Sequence, residues 1–187
     1  KQKYTSLKNS FESYLRNELN VLQNKNLYRE PFTYNEKWLN LASNDYFNLK
    51  HNSKVLSLAN KTATIYGTGS GASPLLSGYQ VCHDELLKKL LCWKNKKYGM
   101  LFNTGYMANQ ALLKHLPSKN DLIIVDKLIH HSMAQALNRG HVKFKRYNHL
   151  DMNKLEELLD KNKKNYNNIF VATESVFSMD GDYPDMI

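Results

Sequence analysis

The chain has 187 residues, 42% hydrophobic and 23% charged, which is the balance of a globular protein with a substantial core. Lys and Arg outnumber Asp and Glu by 26 to 17, a net charge of +9. The lysines are scattered or sit in Lys/Asn-rich stretches such as KNKK (94–97) and DKNKKNYNN (160–168) that read as solvated faces and loops, and with no nucleic-acid motif beside them no nucleic-acid partner is expected. No stretch is apolar enough to span a membrane and no signal peptide opens the chain, so no membrane partner is expected. Cys82 and Cys92, on one predicted helix and too far apart to bond, fit reduced thiols that are buried or partly buried in a cytoplasmic protein.

The first predicted helix runs from Lys3 to about Lys25, with Leu7, Phe11, Tyr14, Leu15, Leu19 and Leu22 at helical spacing. WLNLA (38–42) reads as a short strand, and Asn52 or Ser53 caps a helix that carries Val55, Leu58, Ala59 and Ile65. After the small-residue stretch GTGSGASPLLSG (67–78) a helix reaches about Trp93. Strands and helices then alternate: strand 98–102, helix 106–116 stopped by Pro117, strand LIIVD (122–126), helix 130–139 stopped by Gly140, strand 142–147, helix 151–161 and strand IFVAT (169–173). This rhythm, with β-branched strands, predicts an α/β fold with a mainly parallel sheet flanked by helices.

Ligands of such sheets bind at the carboxyl ends of the strands, which draws attention to Asn103-Thr104-Gly105, Lys127 to His130, His149 and Glu174 to Ser178. At Gly105 a strand hands over to a helix, whose free N–H groups suit a phosphate. Glycine permits close approach and Thr104 adds a hydroxyl, while a plain strand-to-helix connection capped by Thr104 accounts for the same residues without a ligand. Gly67, Gly69 and Gly71 are spaced G-x-G-x-G after a helix, which does not match a dinucleotide loop; they read as a compact loop of closely packed backbone. No His/Cys/carboxylate set shows metal-ligand spacing, so no metal is expected, and Asp180, Asp182 and Asp185 lack the pattern of a calcium loop. No nucleophile elbow G-x-S-x-G is present.

Five stretches in this order resemble the α-oxoamine synthases, pyridoxal 5'-phosphate (PLP) enzymes of fold type I. They are LNLASNDYFNL (39–49), YGTGSGASPLLSGYQVCHDELL (66–87), LFNTGYMANQA (101–111), DKLIHHSM (126–133) and TESVFSMDGD (173–182), and the resemblance covers nearly the whole chain. It implies an amino-terminal helix and small-domain segment over 1–50 and the first part of a large PLP-binding domain over 51–187. Gly105 and Tyr106 would bind the cofactor phosphate through backbone N–H groups, with Thr104 beside them. His130 would stack on the pyridine ring as the catalytic histidine, Ser178 would bond the phenolic oxygen or its surroundings, and Glu174 would support both. Asn44 would place the amino-acid carboxylate, and Arg29 would meet the acyl substrate.

GYMANQ, SGYQ and LYR (27–29) are most similar to members that condense L-alanine with a pimeloyl thioester (pimeloyl-CoA or pimeloyl-acyl carrier protein), with loss of carbon dioxide, in biotin biosynthesis. The resemblance also implies a homodimer. A sister synthase using glycine or serine, and a non-catalytic binding protein of the same fold, are the alternatives. The family's Schiff-base lysine, its pyridine-nitrogen Asp, a companion His and a phosphate-side Thr are expected beyond Ile187. The chain, which starts without Met and stops at PDMI, is thus read as an amino-terminal portion that is inactive alone. Three departures stand out: Pro74 where a small or basic residue is common, Phe47-Asn48 for Leu-Gly, and Leu150 in HLD for the usual Asn.

Overall fold

The computed structural model describes residues 2–35, 37–138 and 140–185, with side chains from residue 10 onward. Leu7 of the first predicted helix, Arg139 at the end of another, and the final Met186-Ile187 lie outside the described side chains. The chain divides into two compact units, Lys1–Lys61 and Thr62–Ile187.

The first unit contains α1 (Gln2–Asn24), a 3-10 turn (Leu49–His51) and the start of α2 (Ser53–Tyr66). The apolar stripe of α1 is present as predicted, and its Phe11, Tyr14, Leu15, Leu19 and Leu22 are exposed. Asn52 starts α2 by accepting hydrogen bonds from the Lys54 and Val55 N–H groups at 3.0 and 3.3 Å. The strand expected over 38–42 does not form. A strand needs a neighbour to satisfy its backbone, and here the Ala42 N–H turns back to Asn40 Oδ1 at 3.1 Å while Leu39 and Leu41 stay exposed.

The second unit continues with α3 (Val81–Trp93), α4 (Gly105–His115), β1 (Leu122–Asp126), α5 (His131–Asn138), β2 (Lys143–Tyr147), α6 (Met152–Asn162) and β3 (Ile169–Ala172). The sheet is parallel in the order β2-β1-β3, with Leu122 level with Lys143 on one side and Ile169 on the other. Central position explains the sequence of β1. Leu122, Ile123, Ile124 and Val125 are all fully buried, each contributing roughly 2 kcal/mol of apolar transfer. Alternate side chains face opposite ways. Ile123 and Val125 pack with Ile129, Met133 and Leu137 on the α5 side, whereas Leu122 and Ile124 pack with Leu155, Leu158 and Leu159 of α6. β2 flanks β1 and carries Lys143, Lys145 and Arg146 exposed, as suits an edge strand.

Three further expectations need correction. Residues 98–102 form no strand; Tyr98 and Met100 are exposed, and no described strand lies alongside to pair with them. Cys92 is exposed and Cys82 half-buried, both free, so only Cys82 is shielded. The close backbone approach expected at Gly67, Gly69 and Gly71 falls instead at Gly78, where an added Cβ would lie 1.9 Å from the Ala72 carbonyl oxygen. Gly67 and Gly71 are required for another reason, positive φ of 82° and 68°.

The same conformation explains two of the sequence departures. Asn48 has φ 50° and Leu150 φ 55°, the left-handed region that glycine and asparagine tolerate and a branched apolar residue does not. Asn48 is thus an acceptable substitute for glycine, whereas Leu150 is strained. Replacing Leu150→Asn should raise the stability of the second unit by about 1 kcal/mol in urea denaturation; an unchanged or lower midpoint would show that the packing of Leu150 outweighs its strain.

Candidate active site at the carboxyl ends of the strands

Three loops meet at the carboxyl end of the sheet, and Asp126 joins them. Its carboxylate is fully buried. Oδ1 accepts from the Leu128 N–H at 2.8 Å and from His149 Nδ1 at 2.9 Å, and Oδ2 accepts from the Leu150 N–H at 2.9 Å. Burial opposes its charge, but the Leu128 and Leu150 N–H groups and the His149 ring outweigh that and hold the carboxyl below its usual range. His149 reaches on, its Nε2 lying 3.0 Å from Asp182 Oδ2. The Asp126 bond, ahead of the smaller opposing effect of burial and the help of Asp182, raises the His149 pKa above its ordinary value. His149 also meets the buried Phe177 ring edge-on, with centroids 4.4 Å apart.

A second network fixes the start of α5. The His130 N–H donates to Glu174 Oε1, which ties the loop after β1 to the end of β3. The Ser132 N–H donates to His130 Nδ1 at 3.2 Å, and Ser132 Oγ lies 2.7 Å from the same nitrogen. A backbone N–H only donates, so Nδ1 is an acceptor and the neutral ring carries its proton on Nε2. Ser132 is fully buried and takes Asn109 Nδ2 on its hydroxyl at 2.9 Å and Gln110 Nε2 on its carbonyl at 2.5 Å. Asn109 and Gln110 belong to α4, so its first turns are latched to the residue that holds His130.

The amino end of α4 remains open. Thr104 caps it, Oγ1 accepting from the Met107 N–H at 3.1 Å, with extended backbone at φ −146°, ψ 151°. The Gly105 and Tyr106 N–H groups precede any intrahelical acceptor, and a Cβ built on Gly105 meets nothing within 4 Å. Tyr106 lines a cleft of about 360 Å³ along α4 with Phe102, Met107 and Gln110. A larger cleft, about 530 Å³, lies at the amino end of β1 and β2, beside Leu122 and Val142 and away from these loops.

Of the residues singled out in the sequence, the structure joins His130 directly to Glu174 and, through Asn109 and Ser132, to the helix that Thr104, Gly105 and Tyr106 begin. Ser178 is exposed on the turn that Asp182 closes. Asn44 and Arg29 belong to the first unit. Asn44 lies in a turn fixed by Ser43 Oγ, which accepts from the Asp45 N–H at 3.0 Å, and by Asp45, which accepts from the Leu49 N–H at 2.7 Å; Arg29 is exposed. Sequence reasoning passed over Asp126, Asn109, Gln110 and Ser132, and singled out His149 only for its place after a strand. The fold also brings one ligand atom each of His149, Asp180 and Asp182 within 4.8 Å of one another, a grouping that linear spacing conceals.

Residues 36–186 match the family described as aminotransferase class I and II. The chain belongs to that family. A relative named putative 8-amino-7-oxononanoate synthase from Methanococcus aeolicus is 36% identical over 175 residues, which are 91% of this chain and 46% of the relative. The structure of 8-amino-7-oxononanoate synthase from Francisella tularensis superposes with a TM-score of 0.61 at 27% identity, covering 76% of this chain and 38% of that one. Serine palmitoyltransferase from S. paucimobilis, solved with PLP and myriocin bound, reaches a TM-score of 0.79 at 22% identity over 95% of this chain and 49% of that one, a likeness of fold. These relatives bear out the likeness to the α-oxoamine synthases, and the parallel sheet flanked by helices is that of fold type I enzymes within the aminotransferase class I and II family. The chain spans less than half the length of the curated relative.

Asp126→Asn tests how much the loops depend on the carboxylate. Three donors converge on it, so an amide must turn its own NH₂ toward one of them. The substitution should cost about 3 kcal/mol in urea denaturation. A loss below about 0.5 kcal/mol would show that the loops stand without it.

Proposed function

We propose that these residues form the cofactor side of a PLP-dependent acyltransferase. The whole protein would condense L-alanine with a pimeloyl thioester, on CoA or an acyl carrier protein, to give 8-amino-7-oxononanoate, carbon dioxide and the free thiol, for biotin synthesis in the cytoplasm. The observation that carries this reading is the open, capped amino end of α4 latched through Asn109 and Ser132 to His130. The relatives from Methanococcus aeolicus and Francisella tularensis support the reaction assigned.

The residues present fit PLP. The space above Gly105, where even a methyl group would touch nothing, suits a phosphate approached by the Gly105 and Tyr106 N–H groups and the Thr104 hydroxyl, whose proton stays free while its oxygen caps the helix. When bound, PLP supplies an electron sink for the carbanion left on the amino acid's α-carbon after proton loss. His130 would lie against the cofactor's ring and, with Nδ1 accepting from the Ser132 N–H, would keep its Nε2–H as a donor. Glu174 fixes the backbone of His130, and Ser178 offers a hydroxyl toward the phenolic oxygen. Asn44 and Arg29 serve the amino-acid carboxylate and the acyl chain. A homodimer is part of the proposal, supported by the apolar side chains exposed along α1. Among the described residues no helix is long and apolar enough to cross a membrane.

Gly105→Pro separates phosphate binding from folding. Proline is well suited to the first helical position, and the extended Thr104 is the conformation favoured before it. Only one N–H is lost. In the whole protein the variant should keep its thermal midpoint and bind PLP about tenfold more weakly in an absorbance titration; unchanged affinity would remove the α4 terminus from the site. Turnover of the whole protein with L-alanine should exceed that with glycine or serine by at least about tenfold in kcat/KM. A preference for either of those would assign it to a sister reaction.

A further inference from the structure

The turn from Phe177 to Asp182 carries Ser178 and seats the buried Phe177, and among the described residues one side chain, His149, hydrogen-bonds it to the carboxyl end of β1. Its own closure is local: the Gly181 N–H donates to the Phe177 carbonyl at 2.7 Å and the Phe177 N–H to the Asp182 carbonyl at 2.9 Å. What ties it to β1 is His149, with one ring nitrogen on Asp126 and the other on Asp182. We propose that His149 is a positioning residue: as an imidazolium clasped between Asp126 and Asp182, it holds the Phe177–Asp182 turn, and with it Ser178, against the carboxyl end of β1.

Both acceptors are carboxylates, and a carboxylate only accepts, so two bonds at 2.9 and 3.0 Å require a proton on each ring nitrogen. The two ends are unequal. Asp126 is fully buried and pinned by two backbone N–H groups, whereas the Asp182 side chain is 39% exposed and rides on the turn. The charged groups facing the ring are Asp126 from β1 and Asp180 and Asp182 from the turn, all negative; Phe177 supplies the remaining contact. Among the described residues His149 is the sole ion-pair partner of either Asp126 or Asp182. When the ring loses one proton, leaving the buried Asp126 unpaired is the costlier outcome, so the bond to Asp182 is the one released.

The direction in pH follows. The His149 pKa lies above its ordinary value of 6.5, so the clasp is complete below about pH 6.5 and is lost as pH rises through the higher value. On the acid side Asp126, held below the usual carboxylate range, keeps its charge until the pH falls through that lowered value. The clasp is a property of this chain alone; its consequence for a cofactor rests on the reading above of Ser178 as a ligand.

Long-range ¹H–¹⁵N NMR of the 187-residue chain tests it without cofactor. At about pH 6 both nitrogens of His149 should be protonated. Between about pH 5 and 9 the Ser178 and Gly181 amides should titrate with the same midpoint as the ring. Asp182→Asn, a change at a partly exposed side chain, should lower that midpoint by about one pH unit and uncouple the two amides from it. His149→Gln should abolish the titration of both amides and, at about pH 6, speed their hydrogen exchange about tenfold. A singly protonated ring at about pH 6, or amides that titrate with another midpoint, would overturn the clasp. PLP titrations of the whole protein report separately on the cofactor reading: a clasp present in the 187-residue chain with no PLP bound by the whole protein sinks that reading and spares this one.

Discussion

One buried carboxylate sets the arrangement of the carboxyl-end loops. Asp126 ends a strand whose four preceding side chains are wholly buried, so its own position is as fixed as any in the protein. An ionised carboxylate in such a place is unfavourable unless donors surround it. Three do, and each comes from a different stretch of chain or a different chemical group: the backbone after β1, the backbone after β2, and the His149 ring. The cost of burial is therefore offset only when the loops adopt this arrangement, which makes the arrangement specific. The other end of the strand follows the same rule. Asp121 is buried and accepts from the Ser118 N–H at 2.6 Å and from the Asn168 backbone and side chain at 2.9 Å, and the Ser118 N–H above all draws its pKa below the ordinary value against the effect of burial. β1 is clamped at both ends by acids that ionise readily because they are bonded.

Such clamping matters because the residues of the proposed site lie at the surface. Gly105, Tyr106, His130 and Ser178 are exposed, as the proposed contact with a ligand would require. Their precision comes from buried neighbours: Ser132 behind His130, and Asp126 with His149 behind the turn that carries Ser178. Helix α4 shows the division along one element. Its first N–H groups are free, while Asn109 and Gln110, about one turn further on, grip Ser132. A helix end cannot both satisfy its own donors and offer them to a phosphate, so its orientation is set from farther along its length.

Most of the fold was legible in the chain. β1, β2, β3 and the helices between them lie where apolar periodicity and the breaks at Pro117 and Gly140 put them, because burial on both faces of a sheet leaves continuous apolar runs. The two short apolar stretches at 38–42 and 98–102 failed as strands, since composition cannot say whether a partner strand is in reach. Thr104, Gly105 and His130 were legible because the turn chemistry and the family motifs are local. Leu150 was visible only as a departure from HND, and its left-handed φ supplies the reason asparagine suits that position.

Sequence by itself determined the order of the elements, the identity of the central strand, the open helix terminus at Gly105 and the family to which the motifs point, for each of these is written in neighbouring residues. Tertiary structure alone decided that Asp126, His149 and Asp182 form one chain of contacts across 56 positions, and that Asn109 and Ser132 stand behind His130. The physical reason is that a hydrogen bond depends on distance in space. Residues far apart in the chain acquire a common role only once the parallel sheet has brought the ends of its strands to one side.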